Sequence, residues 1–110
     1  MSAPFKRQAT LLVVTGDDIF GRMLDTLFGP AGYRTVRVST VDEAVRHARA
    51  YGPDLVVLHS DLLRADAVVT CARLRDLPEV GRRTPLVAVA TALTNNPAIL
   101  EAMENLARSR

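Results

Sequence analysis

Three polar residues follow one another at the point where a long apolar run ends, and they are the first candidates for chemistry. The run PDLVVL passes directly into His59, Ser60 and Asp61. Imidazole can accept a phosphoryl group or bind a metal ion, and carboxylates bind hard cations such as Mg²⁺. The run is typical of a strand buried on both faces, and ligands of open α/β sheets bind beyond the carboxyl ends of such strands. These three residues therefore mark a candidate site.

A second polar group follows the first apolar run of the chain, LLVV. Thr15 and Gly16 come first, and Asp17 and Asp18 come directly after them. Two adjacent carboxylates could hold a divalent cation, but aspartate at the start of a helix also caps the helix and complements its dipole. We expect capping to be the role of Asp17 and Asp18. Gly16 together with Gly21 resembles a piece of a glycine-rich phosphate loop, although the full spacing of that motif is absent.

Alternating strands and helices must position these polar groups. Apolar runs predict strands over residues 9–14, 33–39, 53–58 and 85–90. Helical spacing and capping residues predict helices over residues 18–28, 41–51 and 65–74, and a last helix that begins near residue 97. This alternation predicts one α/β domain over residues 1–110, with a parallel sheet and helices on both faces.

The apolar residues of the helices predict which side chains are buried. In the first and third helices the expected buried residues are Ile19, Met23, Leu24, Leu27, Phe28, Val68, Val69 and Ala72. His47 lies on an arginine-rich face of the second helix and is expected to be exposed.

Composition and charge narrow the class of protein. Hydrophobic residues make up 48% and charged residues 24% of the chain, which is typical of a globular domain. The net charge is +2 and the arginines are scattered, so a nucleic-acid surface is not supported. The single cysteine, Cys71, excludes a disulfide within the chain and a zinc site built from cysteines. Because no signal peptide is evident and no apolar run is long enough to span a bilayer, we expect a cytoplasmic protein with no membrane partner.

Several strings within residues 9–106 together resemble the receiver domain of two-component response regulators. They are LLVV, AGYRTV, TVDEAVRHARAYGPDLVVL and LRDLPEVGRRTPLVAVA. The resemblance implies a flavodoxin-like sheet with the site at the carboxyl ends of strands one, three and four. In such domains an aspartate at the end of strand three accepts a phosphoryl group and two acids after strand one hold Mg²⁺. A threonine or serine ends strand four, and a lysine ends strand five.

This sequence departs from the receiver pattern at each of those positions. The acidic pair falls on Thr15 and Gly16, and the phospho-acceptor falls on His59. The switch hydroxyl falls on Ala90, with Thr91 one residue later. The sequence shows no counterpart of the family's fifth strand and fifth helix. The lysine that ends strand five in the family therefore has no counterpart either. The resemblance therefore implies a degenerate, truncated pseudo-receiver with strand order 2-1-3-4.

These departures favour a non-enzymatic signalling or protein-interaction module that works without phosphorylation and without a cofactor. His59 would then fill its site as a structural residue. One alternative is an active phospho-acceptor that uses Asp61, with Mg²⁺ held by Asp17 and Asp18. That alternative requires both acidic segments to lie two residues later than in the family pattern.

A second alternative is a small-ligand-binding module that uses Thr15, Gly16 and Ser60 at the carboxyl ends of the strands. It would share the candidate site but would need no phosphoryl chemistry.

The favoured module also needs a surface for its partner. Without a fifth strand, strand four becomes an edge of the sheet, and such edges invite pairing with another chain. We expect strand four and the last helix to form an interface, either in a homodimer or with another protein. The residues expected to form it are Val87, Val89, Ile99, Met103 and Leu106.

Overall fold

Four parallel strands and four helices alternate along the part of the chain that the structure describes. The structure is a computed structural model, and it describes residues 8–60, 65–78, 80, 84–90 and 97–108. The strands are β1 (Ala9–Val14), β2 (Tyr33–Val38), β3 (Leu55–Ser60) and β4 (Leu86–Ala90). The helices are α1 (Asp18–Phe28), α2 (Val41–Tyr51), α3 (Ala65–Arg75) and α4 (Pro97–Arg108).

The strands form one sheet in the order β2-β1-β3-β4, and neighbouring strands are parallel throughout. This confirms the predicted α/β fold, its flavodoxin-like arrangement and the order 2-1-3-4. β1 and β3 lie in the middle of the sheet and pair in register, with Val14 opposite Leu58. The carboxyl ends of the two central strands therefore lie side by side.

Two apolar clusters cover the two faces of the sheet. The cluster shared with α1 and α4 includes Leu11, Val13, Phe20, Leu24, Phe28, Val57, Val89, Met103 and Ala107. The cluster shared with α2 and α3 includes Leu12, Val14, Val38, Ala44, Ala48, Val56, Leu58 and Leu74. Side chains alternate between the two faces along a strand, so a strand that is covered on both faces must be apolar at consecutive positions. The unbroken runs of β1 and β3 satisfy this requirement.

Side-chain caps fix where α1 and α2 begin. Asp17 Oδ1 accepts the N–H groups of Ile19 at 2.9 Å and Phe20 at 3.2 Å, which confirms the predicted capping role of Asp17. At α2, the Thr40 hydroxyl accepts the Glu43 N–H at 3.1 Å and donates to the Glu43 carboxylate at 3.1 Å. This hydrogen bond from Thr40 is the main reason why the pKa of Glu43 lies below its ordinary value.

Gly52 ends α2 in the left-handed conformation that favours glycine. Its φ is 58°, and its N–H donates to the carbonyl oxygen of Ala48 at 3.0 Å. Pro53 follows, and proline cannot continue a helix. The chain then enters β3, and just before that strand the Asp54 carboxylate accepts the Thr10 N–H at 2.8 Å. The start of β3 is thereby tied to β1.

The buried stripe of α1 differs from the predicted one. Ile19 is 78% exposed, which makes its predicted burial wrong, and its neighbour Phe20 is fully buried. The stripe that faces the sheet consists of Phe20, Leu24 and Phe28, spaced four residues apart, and Ile19 lies one position off that stripe.

The buried face of α3 also differs. Val69 is 57% exposed and Ala72 is exposed, whereas Thr70 and Leu74 are buried and Cys71 is half-buried. The apolar residues of α3 are not confined to one side, so periodicity could not select the face that packs on the sheet. Val68 was also predicted to be buried, but its side chain lies outside the described residues.

Across the described helices, none combines the length and the apolar composition needed to cross a membrane.

Two residues of the expected interface belong to the core of the protein instead. Val89 and Met103 are each 2% exposed and fill the layer between the sheet and the helices α1 and α4. Both are therefore core residues rather than interface residues. The other three expected residues, each partly buried against the same cluster, are Val87, Ile99 and Leu106.

Candidate functional site

The two central strands bring Thr15 and His59 together at the carboxyl end of the sheet. Val14 and Leu58 lie opposite each other, and each is followed directly by one of the two polar residues. The Thr15 N–H donates to the carbonyl oxygen of Val38 at 2.8 Å, so the backbone pairing of β1 with β2 continues to Thr15. Backbone pairing, rather than a loop, therefore fixes both polar residues.

A buried hydrogen bond joins the two side chains. Thr15 Oγ1 lies 2.8 Å from His59 Nδ1, and each residue is 8% exposed. The same Oγ1 accepts the Asp17 N–H at 3.0 Å. The Thr15 hydroxyl thus connects the end of β3 to the start of α1. His59 therefore has a hydrogen-bonding partner that comes from a distant part of the sequence.

The ring of Phe20 covers one face of the His59 imidazole. The two ring centroids are 3.9 Å apart and the ring planes differ by 12°, so the rings are stacked. Phe20 is itself fully buried in the apolar cluster under α1. Aromatic pairs stabilise a protein by about 0.5–1.5 kcal/mol beyond the area that they bury. His59 is thus packed as an extension of the core.

Burial lowers the pKa of His59 below its ordinary value of 6.5, while the carboxylate of Asp17 acts in the opposite direction and raises it. Desolvation is the larger effect, because the free-energy cost of removing the charged imidazolium from water exceeds the gain from its attraction to Asp17. The ring is therefore neutral at neutral pH. A neutral ring carries one N–H, and Nδ1 either accepts the Thr15 hydroxyl proton or donates to the Thr15 oxygen.

The two acids that follow β1 take part in separate interactions. The Asp17 carboxylate caps α1, as described, and the Asp18 carboxylate forms ion pairs of 2.8 Å with both Arg22 and Arg37. These pairs are exposed, so each contributes little to stability. They nevertheless place two positive charges against Asp18, and these charges oppose the binding of a metal cation there.

The two glycines of the phosphate-loop fragment lie in different surroundings. Gly16 is exposed in the turn between β1 and α1, whereas Gly21 is buried within α1. The side chain of Arg37 lies directly over the Gly21 Cα, in the space that a Cβ would occupy. Gly16 and Gly21 therefore do not form one loop around a phosphate.

Among the remaining predicted site positions, Ala90 has a described side chain, and alanine supplies no hydroxyl or metal ligand. Ala90, at the position of the switch hydroxyl, is half-buried at the end of β4 and pairs in register with Ser60. Asp61, Thr91 and the side chain of Ser60 lie outside the described residues. Within the described ranges, no group of three or more histidine, cysteine or acidic residues is placed to hold a metal ion.

Phe20 is the member of this site that sequence reasoning missed. Thr15 and His59 were each identified, and the signal for their pairing is that both directly follow the apolar runs of neighbouring central strands. No comparable signal favours Phe20, because the spacing of α1 does not distinguish it from Ile19.

Compared with known proteins, this chain matches no family model and no curated protein. The resemblance to receiver domains therefore rests on the sequence strings and on the order of strands in the sheet. Any interpretation of function has to come from the geometry around His59.

Thr15→Val should lower the free energy of unfolding by about 1–3 kcal/mol, because it removes a hydrogen-bonding oxygen from a buried site. Thr15→Ser keeps that oxygen and is the matched control, with an expected loss below about 1 kcal/mol. Urea denaturation near neutral pH measures both values. Equal losses in the two variants would show that the hydroxyl contributes nothing.

The free energy of unfolding should fall as the pH is lowered below the ordinary histidine pKa of 6.5. The unfolded chain then binds more protons at this position than the folded chain, because folding lowers the pKa of His59, so acid favours unfolding. Urea denaturation at about pH 7.5 and at about pH 5.5 should show a smaller pH-dependent loss in His59→Gln than in the wild type.

His47→Gln is the matched control, because it removes the other histidine and keeps His59. We expect it to retain the wild-type loss. An equal pH-dependent loss in the wild type and in His59→Gln would contradict the buried, neutral state of His59.

Proposed function

We propose that this protein is a receiver-like signalling module that acts through protein contacts and does not use phosphorylation as its switch. In this proposal it is not an enzyme and requires no cofactor. The observation that carries the proposal is the state of His59, which occupies the position of the phospho-acceptor. Its imidazole is buried, hydrogen-bonded to the Thr15 hydroxyl and stacked on the ring of Phe20.

Phosphoryl transfer makes demands that this arrangement does not favour. The acceptor atom must meet a phosphoryl donor in line, and positive charge must neutralise the transferring group. His59 Nδ1 is within hydrogen-bond distance of Thr15, and one face of the ring is covered by Phe20. The packing that stabilises His59 therefore also restricts the approach of a donor.

The two described acids that could bind Mg²⁺, Asp17 and Asp18, already form other interactions. Asp17 would have to share a carboxylate that accepts two helix N–H groups, and Asp18 would have to leave two arginines. Mg²⁺ needs near-ideal octahedral geometry and usually one or two carboxylates, so it would compete with the helix cap and with both ion pairs. These interactions favour a module that works without the cation.

The wild-type protein should gain no mass in the presence of Mg²⁺ when it is incubated with acetyl phosphate and examined by intact-protein mass spectrometry. The physical reason is that the acceptor position holds a packed imidazole, while Asp17 caps a helix and Asp18 pairs with two arginines. An active receiver domain treated in parallel shows that the donor is competent.

Two variants identify the acceptor if a gain does occur. A Mg²⁺-dependent gain that is lost in Asp61→Asn would contradict the proposal and support the phospho-acceptor alternative. A gain that is lost in His59→Gln would contradict it by making His59 itself the acceptor.

The surface proposed for protein contacts is the open edge of β4, meaning the side of β4 that faces away from β3. Within the described residues, β3 is the one strand that pairs with β4. The sequence of β4 is LVAVA, which carries no charge, and Ala88 is exposed on it. By contrast, the opposite edge strand, β2, exposes Arg34 and Arg37. Charged side chains protect an edge against pairing, so β4 is the edge better suited to accept a strand from another chain.

A homodimer formed through the open edge of β4 should be detected by multi-angle light scattering at micromolar protein concentration. Ala88→Arg places a charge on that edge, and we expect it to weaken self-association at least about tenfold without unfolding the protein, because Ala88 is exposed.

Thr26→Arg is the matched control, since it adds the same charge at an exposed position of α1. It should leave self-association unchanged. A wild-type protein that remains monomeric would contradict the homodimer, and equal weakening by both variants would contradict the role of β4.

A further inference from the structure

A cleft lies at the amino end of the sheet, on the face that α2 covers and at the opposite end from His59. Its volume is about 340 Å³. Thr10 and Arg34 form part of its wall, and they lie opposite each other near the starts of β1 and β2. We call it the amino-end cleft, and its lining residues are Gln8, Thr10, Arg34, Val36, His47 and Tyr51.

A second cleft adjoins the first along α2 and enlarges the space for a ligand. It has a volume of about 270 Å³ and shares His47 and Tyr51 with the amino-end cleft. The rings of these two residues are stacked, with centroids 5.9 Å apart and planes that differ by 29°. Cavities that hold small molecules start at roughly 300 Å³, so the amino-end cleft is large enough for a compact organic ligand.

His47 contributes a polar atom that has no partner. The residue is half-buried rather than exposed, which corrects the expectation from its arginine-rich helix face. Its Nδ1 is buried and forms no hydrogen bond with any described residue. Most buried polar atoms in proteins are hydrogen-bonded, and each exception calls for an explanation. The His47 ring lines the amino-end cleft, so a turn of the ring would bring this nitrogen to a ligand bound there.

Arg34 contributes a positive charge that pairs with no carboxylate of the described residues. Its guanidinium carbon lies 6.0 Å from the centroid of the Tyr51 ring, and among the described residues it forms no ion pair. The acid that lines the adjoining cleft, Glu43, accepts hydrogen bonds from Ser39 and Thr40 at the start of α2. A guanidinium held against an aromatic ring is well suited to bind a carboxylate.

Apolar side chains lie beside these polar groups. Val36 is half-buried and Tyr51 is 57% exposed, and these two side chains form an apolar wall of the amino-end cleft. A ligand that places only a charge at Arg34 would leave this wall uncovered, whereas a ligand with an apolar body would bury it.

We propose that the amino-end cleft binds a small organic monoanion with a flat apolar body, of the class of the aromatic carboxylates. The carboxylate pairs with Arg34, and the body lies against Val36 and Tyr51. A turn of the His47 ring then lets a polar atom of the body hydrogen-bond to Nδ1. The site is separate from the carboxyl end of the sheet, so it does not depend on the proposed phosphorylation-independent function.

Titration of the ¹⁵N-labelled full chain with indole-3-carboxylate tests the site. We expect amide shift changes centred on Thr10, Arg34, His47 and Tyr51, with saturation below about 10 mM. Indole-3-carboxamide lacks the charge and acetate lacks the apolar body. Each should bind at least about tenfold more weakly, because each loses one of the two sets of contacts.

Two arginine variants distinguish binding in the amino-end cleft from a nonspecific attraction of the anion to positive charge. Arg34→Gln should weaken indole-3-carboxylate binding at least about tenfold. Arg49→Gln removes an exposed arginine of α2 that does not line the cleft, and should leave binding unchanged.

Four results would overturn the proposal. They are no shift changes up to about 10 mM, equal affinity for the carboxylate and the carboxamide, equal effects of the two arginine variants, or shift changes centred on Thr15 and His59 instead.

Discussion

Burial of β1 and β3 on both faces is the constraint on which the rest of the structure depends. The central residues of both strands are at most 3% exposed, and each strand has a strand neighbour on both sides. A polar residue at the end of such a strand has little access to water, and it needs a partner within the protein. His59 finds that partner in Thr15, and the stacked ring of Phe20 completes its surroundings. The neutral state of His59 follows from this burial.

The two ends of the sheet consequently differ in chemistry. At the carboxyl end, the hydroxyl of Thr15, the imidazole of His59 and the carboxylate of Asp17 interact with one another or with the backbone. At the amino end, the described residues offer no carboxylate partner to Arg34 and no hydrogen bond to a buried nitrogen of His47. The first arrangement stabilises the fold, whereas the second has unused capacity for binding. This contrast underlies the proposals of a phosphorylation-independent module and of a separate anion site.

Local features of the sequence were sufficient to predict the alternating strands and helices. Unbroken apolar runs located β1 and β3, and the positions of Asp17 and Gly52 located the start of one helix and the end of another. The predicted order of strands depended on the receiver resemblance, and the sheet has that order.

The sequence was less informative wherever the decisive contact is distant. Thr15 and His59 are 44 residues apart, so no local spacing reveals their bond. Phe20 and Ile19 are adjacent, and only the packing of α1 on the sheet decides which is buried. His47 was misjudged for a related reason, since its arginine neighbours on α2 indicated a solvated face and its position beside Thr10 and Leu12 of β1 was not visible. Packing across elements, rather than propensity, determined each of these outcomes.

We propose that His59, at the phospho-acceptor position of the receiver pattern, is a structural, neutral histidine. The most direct test is an NMR titration of the His59 imidazole nitrogens from about pH 8 to about pH 5, repeated with Mg²⁺ and beryllofluoride. We predict a titration midpoint below the ordinary value of 6.5 and no change of the ring signals on addition of the phosphoryl analogue. A midpoint at or above 6.5, together with a Mg²⁺-dependent change of the His59 signals, would contradict this account.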